Sequence, residues 1–137
     1  GVLRRRLKNT NVTVKLMAFK TVILPTLDYA SIVWDPHTKV DIEKIEKIQK
    51  LGLRFIYNRY DRLASMTELM TKADLLPLQQ RRRQARLRFM YSLYFHRIGL
   101  NRSNYISELN TRTGRHSHGH AITPIFARTN RFKYSFF

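Results

Sequence analysis

Cysteine is absent from these 137 residues, and acids are scarce: nine Asp and Glu stand against 26 Lys and Arg. Without cysteine there is no disulfide scaffold, no thiolate zinc site and no cysteine nucleophile. No apolar run approaches the roughly 18 residues that cross a bilayer. A secretory signal is not expected, because the charges of Gly1-Val2-Leu3-Arg4-Arg5-Arg6-Leu7-Lys8 are not followed by an apolar stretch. The chain opens without Met, as expected of a fragment. There is no Gly-rich phosphate loop. Asp28 and Asp35 are the only acids in the most apolar stretch, and a metal pair cannot be argued from them alone. Tyr29-Ala30 imitates the start of a polymerase Tyr-x-Asp-Asp turn, but Ser31 and Ile32 follow where the two carboxylates would stand.

What remains is basic and moderately apolar. The formal net charge is +17, the pI about 11.0, and 43% of residues are hydrophobic. Such a length suits one domain with a modest core, and full disorder is not expected. A body this charged repels itself, and its favourable outlet is a polyanion: nucleic acid first, an anionic membrane surface a distant second. The charge is uneven. Residues 1–74 carry 14 basic and 8 acidic side chains, whereas residues 75–137 carry 12 and 1. The second half lacks the acids that would neutralise it internally.

The spacing predicts a mainly α fold: a small helical bundle over 1–100, then a polar loop and extension over 101–137. Asn11 suits an N-cap, with Val12, Leu16, Phe19 and Ile23 at helical spacing behind it and Pro25 as stop or kink. Leu27 to Trp34 fits a buried helix or a strand by periodicity, and helix is the preferred reading. Thr38 with Asp41 resembles a capping box, and Ile42, Ile45, Ile48, Gly52 and Ile56 fall on one face. Glu43 with Lys47, and Glu46 with Lys50, would make i,i+4 pairs on a solvated face. Gly52 is either a close helix crossing or a weak point. Ser65 to Glu68 is a second capping box, opening a helix to about Ala73. Pro77 suits the first turn of a helix from about Leu78 to Ile98, with a stripe of Leu87, Met90, Tyr91, Tyr94 and Ile98 and a stop at Gly99. The faces of 42–56 and 87–98 are expected to form the core. Ile122–Ala127 and Phe132–Phe137 read as short β-like segments.

Five arginines, Arg81, Arg82, Arg83, Arg86 and Arg88, crowd the first turns of the last long helix. The macrodipole is already positive there, so each cation is disfavoured by roughly 0.3–1 kcal/mol and something must compensate. Internal pairing with Asp41, Glu43, Glu46 or Glu68 is one candidate. A phosphate backbone, held by the planar guanidinium fork, is the preferred one. Arg4, Arg5, Arg6 and Lys8 form a second cluster, equally readable as a phosphate contact, a nuclear-targeting run or a solvated face. Arg128, Arg131 and Lys133 interleave with aromatics, a composition suited to base stacking, although the alternation over 132–136 reads first as a half-buried strand. His116, His118 and His120 alternate, but Gly119 and the lack of an orienting carboxylate favour a solvated loop over zinc.

Several segments in order resemble the region downstream of the polymerase core in animal LINE-type, non-long-terminal-repeat retrotransposon reverse transcriptases. Leu27 to His37 is similar to "LEYAS-VWDPH", and Val2 to Leu7 to "FLRRNL". Asp41 to Gln49 matches the "IEKVQ" helix, Arg54-Phe55-Ile56 its "ARFI" continuation, and Ser65 to Glu68 "SVTEML". Gln80 to Leu87 matches "LEERRRIARL", and Phe126 to Thr129 with Phe132 to Phe137 matches "ARTDTFKYSFF". The resemblance covers essentially the whole chain. It implies a thumb-like helical module with a C-terminal extension, partnered by RNA or an RNA–DNA duplex and by the fingers and palm of a parent polymerase. The palm would carry the catalytic aspartates and magnesium. No catalytic residue transfers to this sequence, so the chain alone is expected to be inactive. The expected activity is gripping a template–primer backbone without sequence specificity, through Arg81, Arg82, Arg83, Arg86 and Arg88, with Arg4, Arg5, Arg6, Lys8, Arg131 and Lys133 in support. The alternatives are a general basic RNA-binding protein and a decayed element fragment.

Overall fold

Asn11 opens the first long helical run as its spacing predicts: its Oδ1 accepts a 2.9 Å hydrogen bond from the Val14 amide. In the computed structural model, residues 2–61, 63–107, 120–123 and 126–134 are described, without the side chains of Arg131 and Phe132. The elements are α1 (Val2–Arg6), α2 (Val12–Ala18), a π turn (Phe19–Ile23), α3 (Leu24–Asp28), α4 (Ser31–Trp34), α5 (Lys39–Tyr57), α6 (Met66–Ala73), α7 (Leu78–Tyr94), a 3₁₀ turn (Arg102–Asn104) and α8 (Asn130–Lys133). The protein is mainly helical. Two compact units, Gly1–Gln84 and Ala85–Phe137, divide it within α7.

Pro25 does not stop the chain. A proline lacks an N–H and crowds the carbonyl four residues back, so an α-helix cannot carry it unaltered. Here the turn before it widens: the Leu24 amide donates to the Phe19 carbonyl, five residues back, and the helix resumes as α3. The run from Leu27 to Trp34 is helical but broken in the middle. Ala30 adopts a left-handed conformation (φ 49°) between α3 and α4, and the Trp34 indole N–H donates to the Tyr29 carbonyl.

Both helices are capped, but only by the forward half of each expected capping box. Thr38 Oγ1 accepts from the Asp41 amide at 3.2 Å and donates to the Asp41 carboxylate at 2.6 Å. Ser65 Oγ accepts from the Glu68 amide at 3.3 Å. Both helices end on left-handed residues, Asn58 and Asp74, whose short polar side chains tolerate that conformation. The expected Glu43–Lys47 and Glu46–Lys50 pairs do not form. Lys44 pairs with Asp41 at 2.9 Å instead, and Glu46 reaches to α7.

The core of the first unit gathers Phe19, Leu24, Leu53, Ile56, Leu69, Ala73, Leu75 and Leu78. Each of these side chains other than Ala73 contributes on the order of 1.5–3 kcal/mol when fully buried. The expected face of α5 is corrected by one position. Ile48 is exposed, and Gln49 is buried in its place, its Nε2 donating to the Leu76 carbonyl at 3.0 Å. A polar side chain is kept inside because it satisfies the connector between α6 and α7. Gly52 is the close crossing: a Cβ there would stand 2.4 Å from Cε2 of Phe19.

The expectations for α7 and the tail also change. The residues of 87–98 are not part of this core, and Leu87 and Tyr91 are exposed. The fully buried positions of α7 are Leu78, Arg82 and Leu93. The helix ends at Tyr94, before Gly99. His96 takes the left-handed conformation (φ 52°), and the Arg97 amide reaches back to the Ser92 carbonyl at 2.8 Å. In the second unit, Arg102 Nη1 donates to the Tyr94 carbonyl at 3.3 Å and its guanidinium lies over the Tyr94 ring at 4.0 Å. Of the expected β-like segments, Ile122 makes an isolated bridge, while 130–133 forms the helical turn α8, its Lys133 amide bonded to the Thr129 carbonyl at 2.9 Å. A strand needs a partner for its amides, and a helical turn satisfies them locally. Residues 124–125 and 135–137 lie outside the described residues.

Candidate nucleic-acid interface

The arginines at the start of α7 divide into two kinds. Arg81 and Arg82 face the protein's own carboxylates. Arg81 Nε donates to Asp28 Oδ2 at 3.1 Å while its Nη2 donates to the same oxygen. Arg82 Nε donates to Asp35 Oδ1 at 2.7 Å, with Arg82 1% and Asp35 12% exposed. The Arg82 guanidinium also approaches the Trp34 ring, 6.0 Å from its centroid. Its Nη1 and Nη2 are buried without a hydrogen-bond partner among the described residues. Such a group is not presented to a phosphate outside. Arg83 and Arg88 are exposed, and Arg86 is half-buried.

Compensation for the positive helix end thus comes from three carboxylates far away in sequence. Asp28 and Asp35 bind the two arginines, and Glu46 Oε1 of α5 accepts from the Gln79 amide at 2.6 Å. Glu46 occupies the place where a helix has an unsatisfied N–H and a positive dipole end. Of the internal partners considered from sequence, Asp41, Glu43 and Glu68 take no part in this. Asp28 and Asp35 were visible as the only acids in the most apolar stretch, and that oddity was the signal for buried counter-ions.

Three of the remaining six acids are paired locally. Asp41 holds Lys44, Asp61 holds Arg59 at 3.2 Å, and Glu68 holds Lys72 at 2.6 Å. Hydrogen bonds set the direction of their titration. The Thr38 hydroxyl, then Lys44, lowers the Asp41 pKa; Arg59 lowers that of Asp61, and Lys72 that of Glu68. Arg59 is raised by the same contact with Asp61. Six of the nine acids are therefore engaged in these ion pairs and in the cap of α7.

Arg4, Arg5, Arg6 and Lys8 are all exposed. The three arginines occupy the C-terminal end of α1, where the dipole favours cations, so unlike the α7 cluster they need no compensation. Arg4 lies over the Tyr60 ring at 5.7 Å.

In the second unit Lys133 is exposed and sits over Tyr134 at 5.6 Å. The Arg131 side chain, and His116 and His118, lie outside the described residues. His120 engages Tyr94, its Nδ1 3.0 Å from the hydroxyl and its ring edge-on to the Tyr94 ring. Among the described residues no group of three His, Asp or Glu is placed to hold a metal, and no helix is long and apolar enough to cross a membrane. Comparison with protein-family models, with curated proteins and with solved structures found no match to this chain.

Proposed function

We propose that this chain grips the sugar–phosphate backbone of RNA or of an RNA–DNA duplex, as the thumb and extension of a LINE-type reverse transcriptase. The catalytic palm is a separate part of that polymerase. Recognition is by charge and shape rather than by base sequence. The observation that carries the reading is the division of charge. Most acids hold buried or local partners, while Arg4, Arg5, Arg6, Lys8, Arg83 and Arg88 stand exposed on a chain of net charge +17. The segments quoted for the resemblance support the polymerase context.

The phosphate-contacting set is accordingly narrower than the five arginines of α7. Arg81 and Arg82 hold the helix in place, and Arg83 and Arg88 with the N-terminal cluster meet phosphates. The test is a salt titration of binding to an unrelated set of duplexes. Four to six phosphate contacts give a slope of log affinity against log salt of roughly −3 to −5, alike for every sequence. A slope near zero, or a strong preference for one structured RNA, overturns the reading.

A further inference from the structure

The first unit has an apolar hollow of about 360 Å³ on the face where α1, α2 and α5 come together. Its wall on α5 is the stripe Ile48, Leu51 and Phe55, with Gly52 between them leaving the floor to Phe19. The lip is apolar and open to solvent: Val2, Ile48 and Leu51 are 64%, 45% and 53% exposed. One largely covered cationic side chain lies along its wall. Lys15 is only 9% exposed, and its ammonium rests 4.9 Å from the centre of the Phe55 ring rather than on a carboxylate. A ring face meets an ammonium more weakly than a carboxylate does, so an acid brought into this hollow would gain a charge-assisted contact with Lys15.

We propose that this hollow receives an amphipathic helix, from another polypeptide, that carries a carboxylate for Lys15. Among the described residues the charged ones lining the hollow are Lys15 and Arg4, with no acid, so the complementary surface is acidic. The wall from Ile48 to Phe55 runs about 10 Å at 1.5 Å per residue, the reach of apolar anchors at i, i+3 or i+4, and i+7 on a partner helix. A small carboxylate would leave the lip of Val2, Ile48 and Leu51 in water. A second copy of the chain would bring a further charge of +17 to a basic face. Apart from Arg4, the residues of this hollow take no part in the proposed phosphate contacts.

The probe is an acetylated, amidated 18-residue helical peptide with Leu at i, i+3, i+4 and i+7 and Glu flanking that stripe. It is compared with the same peptide bearing Gln for Glu, and with dodecanoate, by calorimetry on the full chain. The Glu peptide is expected to bind one to one and at least fivefold more tightly than the Gln peptide. Leu51→Glu or Ile48→Glu, both at exposed positions, should weaken it tenfold or more while thermal unfolding stays cooperative. Lys15→Met should remove the preference for Glu over Gln. Unchanged binding to both exposed-position variants would mean diffuse attraction to a basic protein and overturns the proposal. So does a failure of the peptide to bind, dodecanoate competing at equal affinity, or dimerisation that excludes the peptide.

Discussion

The Nε of Arg82 stands 2.7 Å from Oδ1 of Asp35, and the pair is almost wholly withdrawn from water. One residue belongs to the apolar segment ending in Trp34-Asp35-Pro36, the other to the arginine run of α7. Arg81 and Asp28 repeat the relationship within the same two segments. Two of the most distinctive stretches of the sequence are therefore distinctive because they bind each other.

Arg82→Ala should cost about 3–5 kcal/mol, because it takes a buried counter-ion from a nearly buried carboxylate and leaves a void. The double substitution Arg82→Met with Asp35→Leu should recover most of that loss, since an apolar pair of similar volume escapes the desolvation cost. Urea unfolding measures both. A loss below about 1 kcal/mol for the single variant would mean that the pair holds nothing together.

Arg83→Gln and Arg88→Gln should each reduce the salt slope of nucleic-acid binding by about one and weaken all sequences alike, with stability unchanged. Arg82→Gln should do the reverse, lowering stability and leaving the slope alone. Loss of slope on changing Arg82, in a variant that still folds, would place that guanidinium on the phosphate side after all.

Gly52→Ala sets two effects against each other. Alanine favours a helix over glycine by about 1 kcal/mol, but its Cβ would meet the Phe19 ring at 2.4 Å. Overpacking of this kind costs about 1–3 kcal/mol, so a net loss is expected. With Phe19→Leu in the same chain the alanine should become neutral or stabilising. A double-mutant cycle with coupling below about 0.5 kcal/mol would show that Phe19 does not sit on Gly52.

Acid should loosen the chain through Asp41, Asp61 and Glu68, whose pKa values lie below their ordinary 3.8, 3.8 and 4.5. A carboxylate with a folded pKa below its unfolded one stabilises fully above the unfolded value. That contribution fades as pH falls through the folded value. Circular dichroism between pH 5 and 2 should show helix loss beginning below about pH 4.5. Carbon-13 titration should place Asp41 lower in the parent than in Thr38→Ala; equal values would remove the hydroxyl as the cause.

Much of the local structure was legible. Asn11, Thr38 and Ser65 cap helices as read, because a cap is a bond between residues three apart and needs no tertiary partner. The buried stripe of α7 was less legible. Apolar residues at 87, 90, 91 and 94 carry helical spacing, but burial goes to whichever face meets a neighbour, and Arg82 is buried while Leu87 is not. The alternation at 132–136 likewise suggested a strand, and 130–133 closed into a helical turn because amide partners were available within one turn. At the candidate interface Arg4, Arg5, Arg6 and Lys8 are exposed, whereas Arg81 and Arg82 turn inward onto carboxylates.

By itself, the sequence determined the mainly helical class, the positions of the caps and the excess of cations, since each follows from composition or from residues within one turn of each other. Which cations are available was decided only by the tertiary structure. Asp28, Asp35 and Glu46 reach the start of α7 across 33 to 53 residues, and a carboxylate neutralises a guanidinium only when folding brings them within a few ångströms.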